Sequence, residues 1–301
     1  MYAKVRAPGS CGELVQGVIN GKNFLVTCPV NQYSEVCVKL VSRSKMIYGS
    51  ANKYKAFQAV SKVFDAFGWG YGAEVKICSQ LPAGKGMASS TADLSAAALA
   101  AALALDKELT LDHITKIALE IEPSDGTFLP GIVMFDHLKG SLCQMLGQPP
   151  KLKICIVDPG GEVDTVEFNQ KEDLWEKNLA KEKEIKKAVQ LITQGIEKAS
   201  PKLIGEAATI SSLANQAILY KPGLEKLVDQ VLSFKGYGVN IAHSGTVIGI
   251  LIDENDDRVE EWEKLIQNVF NNPVNFYWNN LIGGGLEVLE VNYPNEKWCS
   301  L

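Results

Sequence analysis

Neither a CxxC pair nor a histidine cluster occurs in this chain, although it carries seven cysteines and three histidines among 301 residues. That excludes a zinc-finger framework and a thioredoxin-type redox motif. The cysteine count is odd, and cysteines sit in apolar runs such as Lys153-Ile-Cys-Ile-Val157. Such thiols pack as small hydrophobes in a reducing compartment. Positive charge is not in excess: 30 Lys and Arg stand against 35 Asp and Glu, a net charge of −5. Broad nucleic-acid binding therefore has no electrostatic support, whereas a local anion site remains compatible. The apolar run from Ala96 to Leu105 stops well short of the roughly 20 residues a bilayer span needs. The opening MYAKVRAPGS has no apolar signal core. No membrane partner is expected, and the cytoplasm is the expected compartment. Internal repeats and low-complexity tracts are also missing.

What is present reads as a folded enzyme. With 46% hydrophobic and 22% charged residues, the chain falls outside the disordered and fibrous classes. Its length fits one large or two ordinary domains. Phe24 to Cys28 and Glu35 to Leu40 have strand patterns, and Ala73 to Cys78 returns to period two. Phe57, Val60, Phe64 and Phe67 recur at helical spacing. An Ala- and Leu-rich helix is expected over about Met87 to Leu105, and another after Thr110. The charged stretch from Lys171 to Lys198 reads as one long helix with Leu174, Leu179, Ile185, Val189 and Ile192 inward. Further helices are expected near 201–217, 223–234 and 256–270. Two strands fall around a Ser-Gly turn in 238–252, and two more close the chain. Phe276-Tyr-Trp278 reads as core packing in a strand. A boundary near the Gln-Pro-Pro turn divides the chain into residues 1–150 and 151–301. Strands mixed with helices without regular βαβ alternation predict α+β architecture.

The strongest chemistry lies in Leu81-Pro-Ala-Gly-Lys-Gly-Met-Ala-Ser-Ser-Thr-Ala-Asp93. Small residues entering a helix let backbone amides approach a phosphate, and the helix dipole favours one there. Gly84-Lys85 is followed by Gly86, so a Walker A loop fails. Gly84 and Gly86 begin a dinucleotide fingerprint, but Ser89 takes the third glycine's place. A small-residue loop that only caps a buried helix is the plain alternative.

Pro82, Gly86, Ser89 and Ser90 match the Pro-x-x-x-Gly-Leu-Gly-Ser-Ser-Ala motif of the GHMP kinases, which this run resembles. Met87 stands for the Leu, Ala88 for the second Gly and Thr91 for the last Ala. Ala7-Pro-Gly-Ser-Cys-Gly-Glu13 resembles the family's amino-terminal motif, with Ser10 in place of its Lys. Ala242 to Gly249 matches the third motif weakly. Together with Glu122 to Phe128 and Phe135 to His137, these blocks are similar to the threonine-phosphorylating branch of the family. The resemblance implies a ribosomal S5 domain 2-like amino-terminal domain and a ferredoxin-like carboxy-terminal domain. It implies ATP and Mg²⁺, with L-threonine as the acceptor and O-phospho-L-threonine as a precursor of the aminopropanol linker of cobalamin. Homoserine or another small alcohol as acceptor, and a non-catalytic ATP-binding regulator, are the alternatives. Assembly stays open between monomer and homodimer.

The resemblance also assigns roles. Pro82, Ala83, Gly84, Lys85, Gly86, Met87, Ala88, Ser89, Ser90 and Thr91 hold the nucleotide. Ser90 is the Mg²⁺ ligand and Glu122 a second one, the latter being otherwise a helix-end surface carboxylate. Asp125, in Glu122-Pro-Ser-Asp-Gly-Thr127, is the base that activates a hydroxyl, since a hydroxyl profits from a carboxylate within hydrogen-bond reach. Its other reading is an Asx-turn aspartate. Glu13 reads either as a ligand for a substrate ammonium or as a strand-edge charge. His243 and Ser244, and Asp136-His137, read as substrate-lining residues, although a lone histidine is more often packing. Lys85 reads as a phosphate counter-charge or a solvated loop tip. Asp158-Pro-Gly-Gly161 reads as a tight turn.

Overall fold

Two long strands, β1 (Tyr2–Ile19) and β2 (Lys22–Val41), form a hairpin closed at Asn20-Gly21. Both turn residues have positive φ, as a hairpin turn that follows the strand twist requires. The two short strand patterns expected in residues 24–40 are thus one continuous strand. β1 slips register at Pro8/Gly9, Ser10/Glu13 and Glu13/Val15. Such bulges bend a strand and re-aim its side chains. The computed structural model describes residues 1–163 and 168–293.

The remaining strands are β3 (Ile47–Gly49), β4 (Gly72–Ser79), β5 (Ile132–Phe135), β6 (Cys143–Gly147), β7 (Leu152–Asp158), β8 (Gly238–Ile241), β9 (Ile248–Asp253), β10 (Asn275–Asn280) and β11 (Glu287–Asn292). The sheet runs β10-β7-β9-β8-β1-β2-β4-β3, with β11 also on β1, and β5 joining β2 to β6. Among the described strands only β3 and β4 pair in parallel. A mixed but predominantly antiparallel sheet with helices laid against it is α+β. One residue pair, Glu13 opposite Ile241, joins β1 to β8. That junction carries the sheet from one half of the chain to the other.

Helix α1 (Tyr54–Phe67) buries Ala56, Ala59, Val60, Val63 and Phe64 as one stripe. α2 (Ser89–Ala104) is buried on nearly every side and packs against β1, β2 and α1. Its alanines allow that close approach. α3 (Leu111–Ile121) begins with the Thr110 hydroxyl accepting from the His113 N–H at 3.3 Å.

The long charged helix expected over Lys171 to Lys198 is instead two helices, α4 (Leu174–Ala180) and α5 (Glu182–Glu197). They meet at Lys181. The break resets the helical phase, so Ile185 and Ile192 are buried but Leu179 is 40% exposed. α6 (Pro201–Ala214), α7 (Leu224–Ser233) and α8 (Val259–Gln267) follow. A second core lies over β7 to β10, where Trp262 and Leu227 pack with Val239 and Ile250. Phe276 and Trp278 join it, as the strand pattern predicts. Cys11, Cys28 and Cys155 are buried free thiols, whereas Cys78 and Cys143 are exposed and Cys37 is half-buried. Cys299 lies outside the described residues.

Ala100 is fully buried in α2. Added methylenes there have no space to enter. Ala100→Leu is expected to lower stability by about 1–3 kcal/mol. A urea titration should show a lower midpoint with an unchanged slope.

Candidate active site

The loop between β4 and α2 is held by its main chain from two sides. The Ser10 N–H donates to the Met87 carbonyl and the Gly12 N–H to the Gly86 carbonyl, each at 3.1 Å. The Thr246 and Val247 N–H groups both donate to the Lys85 carbonyl, at 2.9 and 3.1 Å. Contact is so close that a Cβ on Gly86 would lie 2.3 Å from the Ala242 Cβ. One on Gly245 would lie 2.3 Å from the Gly86 nitrogen. The turn after β8 therefore fixes the shape of a loop more than 150 residues earlier in the chain.

Ala88 enters α2 at φ 54°, ψ 25°, in the left-handed region. An L residue there costs about 1–2 kcal/mol. No side chain caps α2, and no acid lies in its first turn. Its orphan amides are left for an anion, as helix starts provide.

A cavity of about 290 Å³ opens against this loop. Residues 82–91 line it with the exception of Lys85, and Glu13, Glu122, Asp125, His243 and Ser244 line it too. The Ser90 hydroxyl donates to one oxygen of the buried Glu122 carboxylate, and the Lys55 ammonium pairs with the other. Beside them, Lys53 lies 2.6 Å from Asp93, which also accepts from the Ser34 hydroxyl. No group of three or more His, Cys, Asp or Glu side chains suited to a metal occurs among the described residues. Magnesium does not require one, since it takes one or two protein oxygens and completes its shell with phosphate and water. The Ser90 and Glu122 oxygens fit that donor set.

Asp125 follows α3 on a loop pinned by two threonines. Its N–H donates to Thr91 Oγ1 at 3.2 Å, and the Gly126 N–H reaches Thr27 Oγ1 at 3.4 Å. The Asp125 side chain makes no capping bond to its own turn, so the Asx-turn reading does not describe it. It faces Glu13 instead. Burial, then the charge of Glu122, pushes the Asp125 carboxyl up to about 6. Burial first and the Asp125 charge second hold Glu13 well above the carboxylate range. Glu13 Oε2 is buried with no donor to accept from. Both carboxyls are thus held above their usual range, burial being the larger cause for each.

A second polar group forms the far wall. The His137 and His243 rings stack edge-on with centroids 4.9 Å apart. Both Nε2 atoms reach Asn169 Oδ1, at 3.3 and 3.4 Å, and His243 Nδ1 meets Gln16 Oε1 at 2.8 Å. Burial lowers both imidazoles, His137 to about 4, so they are neutral at pH 7.

Two family domains match the chain: GHMP kinases N terminal domain over residues 53–129 and GHMP kinases C terminal over 192–272. An L-threonine kinase from Salmonella typhimurium is 32% identical over 255 residues, covering 83% of each chain. One from Citrobacter freundii is 31% identical over 266 residues, covering 86% of this chain and 89% of its own. The chain belongs to the GHMP kinases. The fold agrees: homoserine kinase from Cytophaga hutchinsonii superposes with a TM-score of 0.73 at 20% identity, covering 96% and 97% of the two chains. A solved complex with MVAPP, AMPPCP and magnesium superposes at 0.71, with 15% identity and 96% and 99% coverage.

In this GHMP kinase the Lys85 ammonium turns away from the cavity. It lies 2.7 Å from the Gly161 carbonyl and 3.2 Å from Asp158. The Asp158-Pro-Gly-Gly161 turn thus braces the phosphate loop through Lys85. Asp136 serves its own turn, accepting from Leu138, Lys139 and Ser141. Burial works against its charge, but those bonds outweigh it and hold the carboxyl below its usual range. Its neighbour His137 lines the cavity.

Lys53, Lys55, Asp93 and Asn169 also line the cavity and were not singled out by the sequence. Lys53 and Lys55 offered a signal of a kind: two cations opening a helix, where the dipole disfavours them.

Gly86→Ala would force the loop off the Ala242 turn. Nucleotide affinity, read by calorimetry, should fall at least about tenfold, the equivalent of one lost charge-assisted hydrogen bond. The circular dichroism spectrum should be unchanged.

Proposed function

We propose that this GHMP kinase transfers the γ-phosphoryl group of ATP to the side-chain hydroxyl of L-threonine, giving O-phospho-L-threonine and ADP. The observation that carries the reading is Asp125: a raised carboxyl on the cavity wall, free of any turn-capping duty, across from the phosphate loop. The choice of threonine follows the two L-threonine kinases that share 31–32% identity over most of the chain.

In this reading Asp125 accepts the hydroxyl proton as the oxygen–phosphorus bond forms and the bond to ADP breaks. Glu13 faces the ammonium of a bound amino acid. The loop amides and the start of α2 receive the phosphates. Ser90 and Glu122 would hold Mg²⁺, which neutralises phosphate charge when bound. Magnesium accompanies AMPPCP in one relative of this fold. The product would supply the aminopropanol linker of cobalamin. No helix among the described residues is long and apolar enough to cross a membrane, and the reading places the reaction in the cytoplasm.

ADP release measured with threonine, serine, homoserine and mevalonate tests the proposal. Turnover is expected on threonine; turnover of another alcohol with none on threonine contradicts it. Asp125→Asn should lower kcat by a factor of at least about 10² with nucleotide affinity retained. An unchanged kcat would remove the base from Asp125.

A further inference from the structure

Lys55 and Glu122 both stand where their own helices work against them. Lys55 lies in the first turn of α1, and Glu122 is the C-cap of α3. A helix start disfavours a cation and a helix end disfavours an anion. No acid lies in the first turn of α1 to offset the lysine. The ion pair between the Lys55 ammonium and one oxygen of the Glu122 carboxylate offsets both placements, across 67 residues of chain.

The same pair closes the metal donor set. The second Glu122 oxygen accepts from the Ser90 hydroxyl, so both carboxylate oxygens are engaged. The Glu122 side chain is 4% exposed and that of Lys55 27%. The carboxylate is thus covered, whereas Lys55 has room to move on the cavity side. The neighbouring Lys53 is held differently. Its partner Asp93 also accepts from the Ser34 hydroxyl of β2, which ties the start of α1 beside the site.

A divalent cation alone gains little at such a site. Magnesium sheds water reluctantly, and it would meet a carboxylate already neutralised by an ammonium. A nucleotide changes the balance. Its phosphates bring oxygen ligands for the metal and a new charged acceptor for the ammonium. Lys55, Glu122, Gly86, Ser89 and Ser90 all line the one cavity, so the ammonium and the phosphate loop face the same space.

We propose that Lys55 is the resident counter-cation of the metal site: it holds Glu122 in the free protein, releases the carboxylate when the metal arrives with its nucleotide, and passes to the nucleotide's phosphates. The proposal rests on the ATP and Mg²⁺ part of the functional reading and not on the choice of threonine. Glu122 then never stands as a bare buried charge, which would be costly. Metal and nucleotide load together.

Mn²⁺, which suits the same oxygen ligands as Mg²⁺, reads the metal site without turnover when titrated alone and followed by electron paramagnetic resonance. Calorimetry with AMPPCP in the presence of a chelator reads the phosphate side without metal. Lys55→Met should bind Mn²⁺ at least about tenfold more tightly than the wild type, the worth of one charged hydrogen bond, because Glu122 is released. Glu122→Gln frees the ammonium instead, so metal-free AMPPCP should bind at least about tenfold more tightly than to the wild type. The double variant should lose both gains, since each needs the group that the other substitution removes. If Lys55→Met does not fold, the Glu122→Gln arm decides alone. Either gain missing from its folded single variant, or retained in the double variant, overturns the role of Lys55 while nucleotide binding by the wild type stands. A wild type that binds no AMPPCP with Mg²⁺ present overturns the nucleotide reading itself and the inference with it.

Discussion

Glu13 and Asp125 share a buried corner that holds one negative charge more readily than two. The rest of the cavity is arranged around that constraint. Glu13 comes from a bulged stretch of β1, at the residue that pairs with β8. Asp125 comes from the loop after α3, pinned by Thr91 and Thr27. Among the described residues neither carboxyl forms an ion pair with a lysine. Lys53 and Lys55 are engaged by Asp93 and Glu122 on the side of the phosphate loop. The cavity thus separates two kinds of carboxylate: Asp93 and Glu122, each paired with a lysine, and Glu13 and Asp125, which have no lysine pair among the described residues. Opposed environments of this kind set distinct roles for chemically similar groups.

The phosphate loop depends equally on the second half of the chain. Its carbonyls accept from Ser10 and Gly12 on one side and from Thr246 and Val247 on the other. Lys85 ties it to the Asp158 turn rather than reaching into the cavity. Positive field for an anion therefore comes from backbone amides and the start of α2. A net charge of −5 is no obstacle to such a site. The small residues the sequence places there have two uses, since Gly86 and Gly245 also permit the contact that clamps the loop.

Local chemistry was legible in the sequence wherever it was carried by adjacent residues. The loop before α2, the loop carrying Asp125 and most helix and strand positions were readable from spacing and turn residues. Long-range partnerships were not. Gln16 is fixed through an N–H bond to Ser211, 195 residues away, and Lys55 meets Glu122 across 67 residues. No periodicity encodes such pairs. The break at Lys181 was equally hidden, because the charged run on either side keeps a helical pattern while the helix itself stops. The Lys181 side chain turns inward there, where a charged surface helix would have kept it in water. Asn169 carries no motif and matters only because both histidines converge on it.

The pH dependence of kcat/KM for threonine tests the Glu13–Asp125 corner most directly, because it reports groups in the free enzyme. Asp125 must be ionised to accept the hydroxyl proton, and its carboxyl is raised to about 6. Activity should therefore be full at neutral pH and fall as pH drops through about 6, a limb absent from the residual activity of Asp125→Asn. A profile that stays flat down to the ordinary aspartate range would contradict the account.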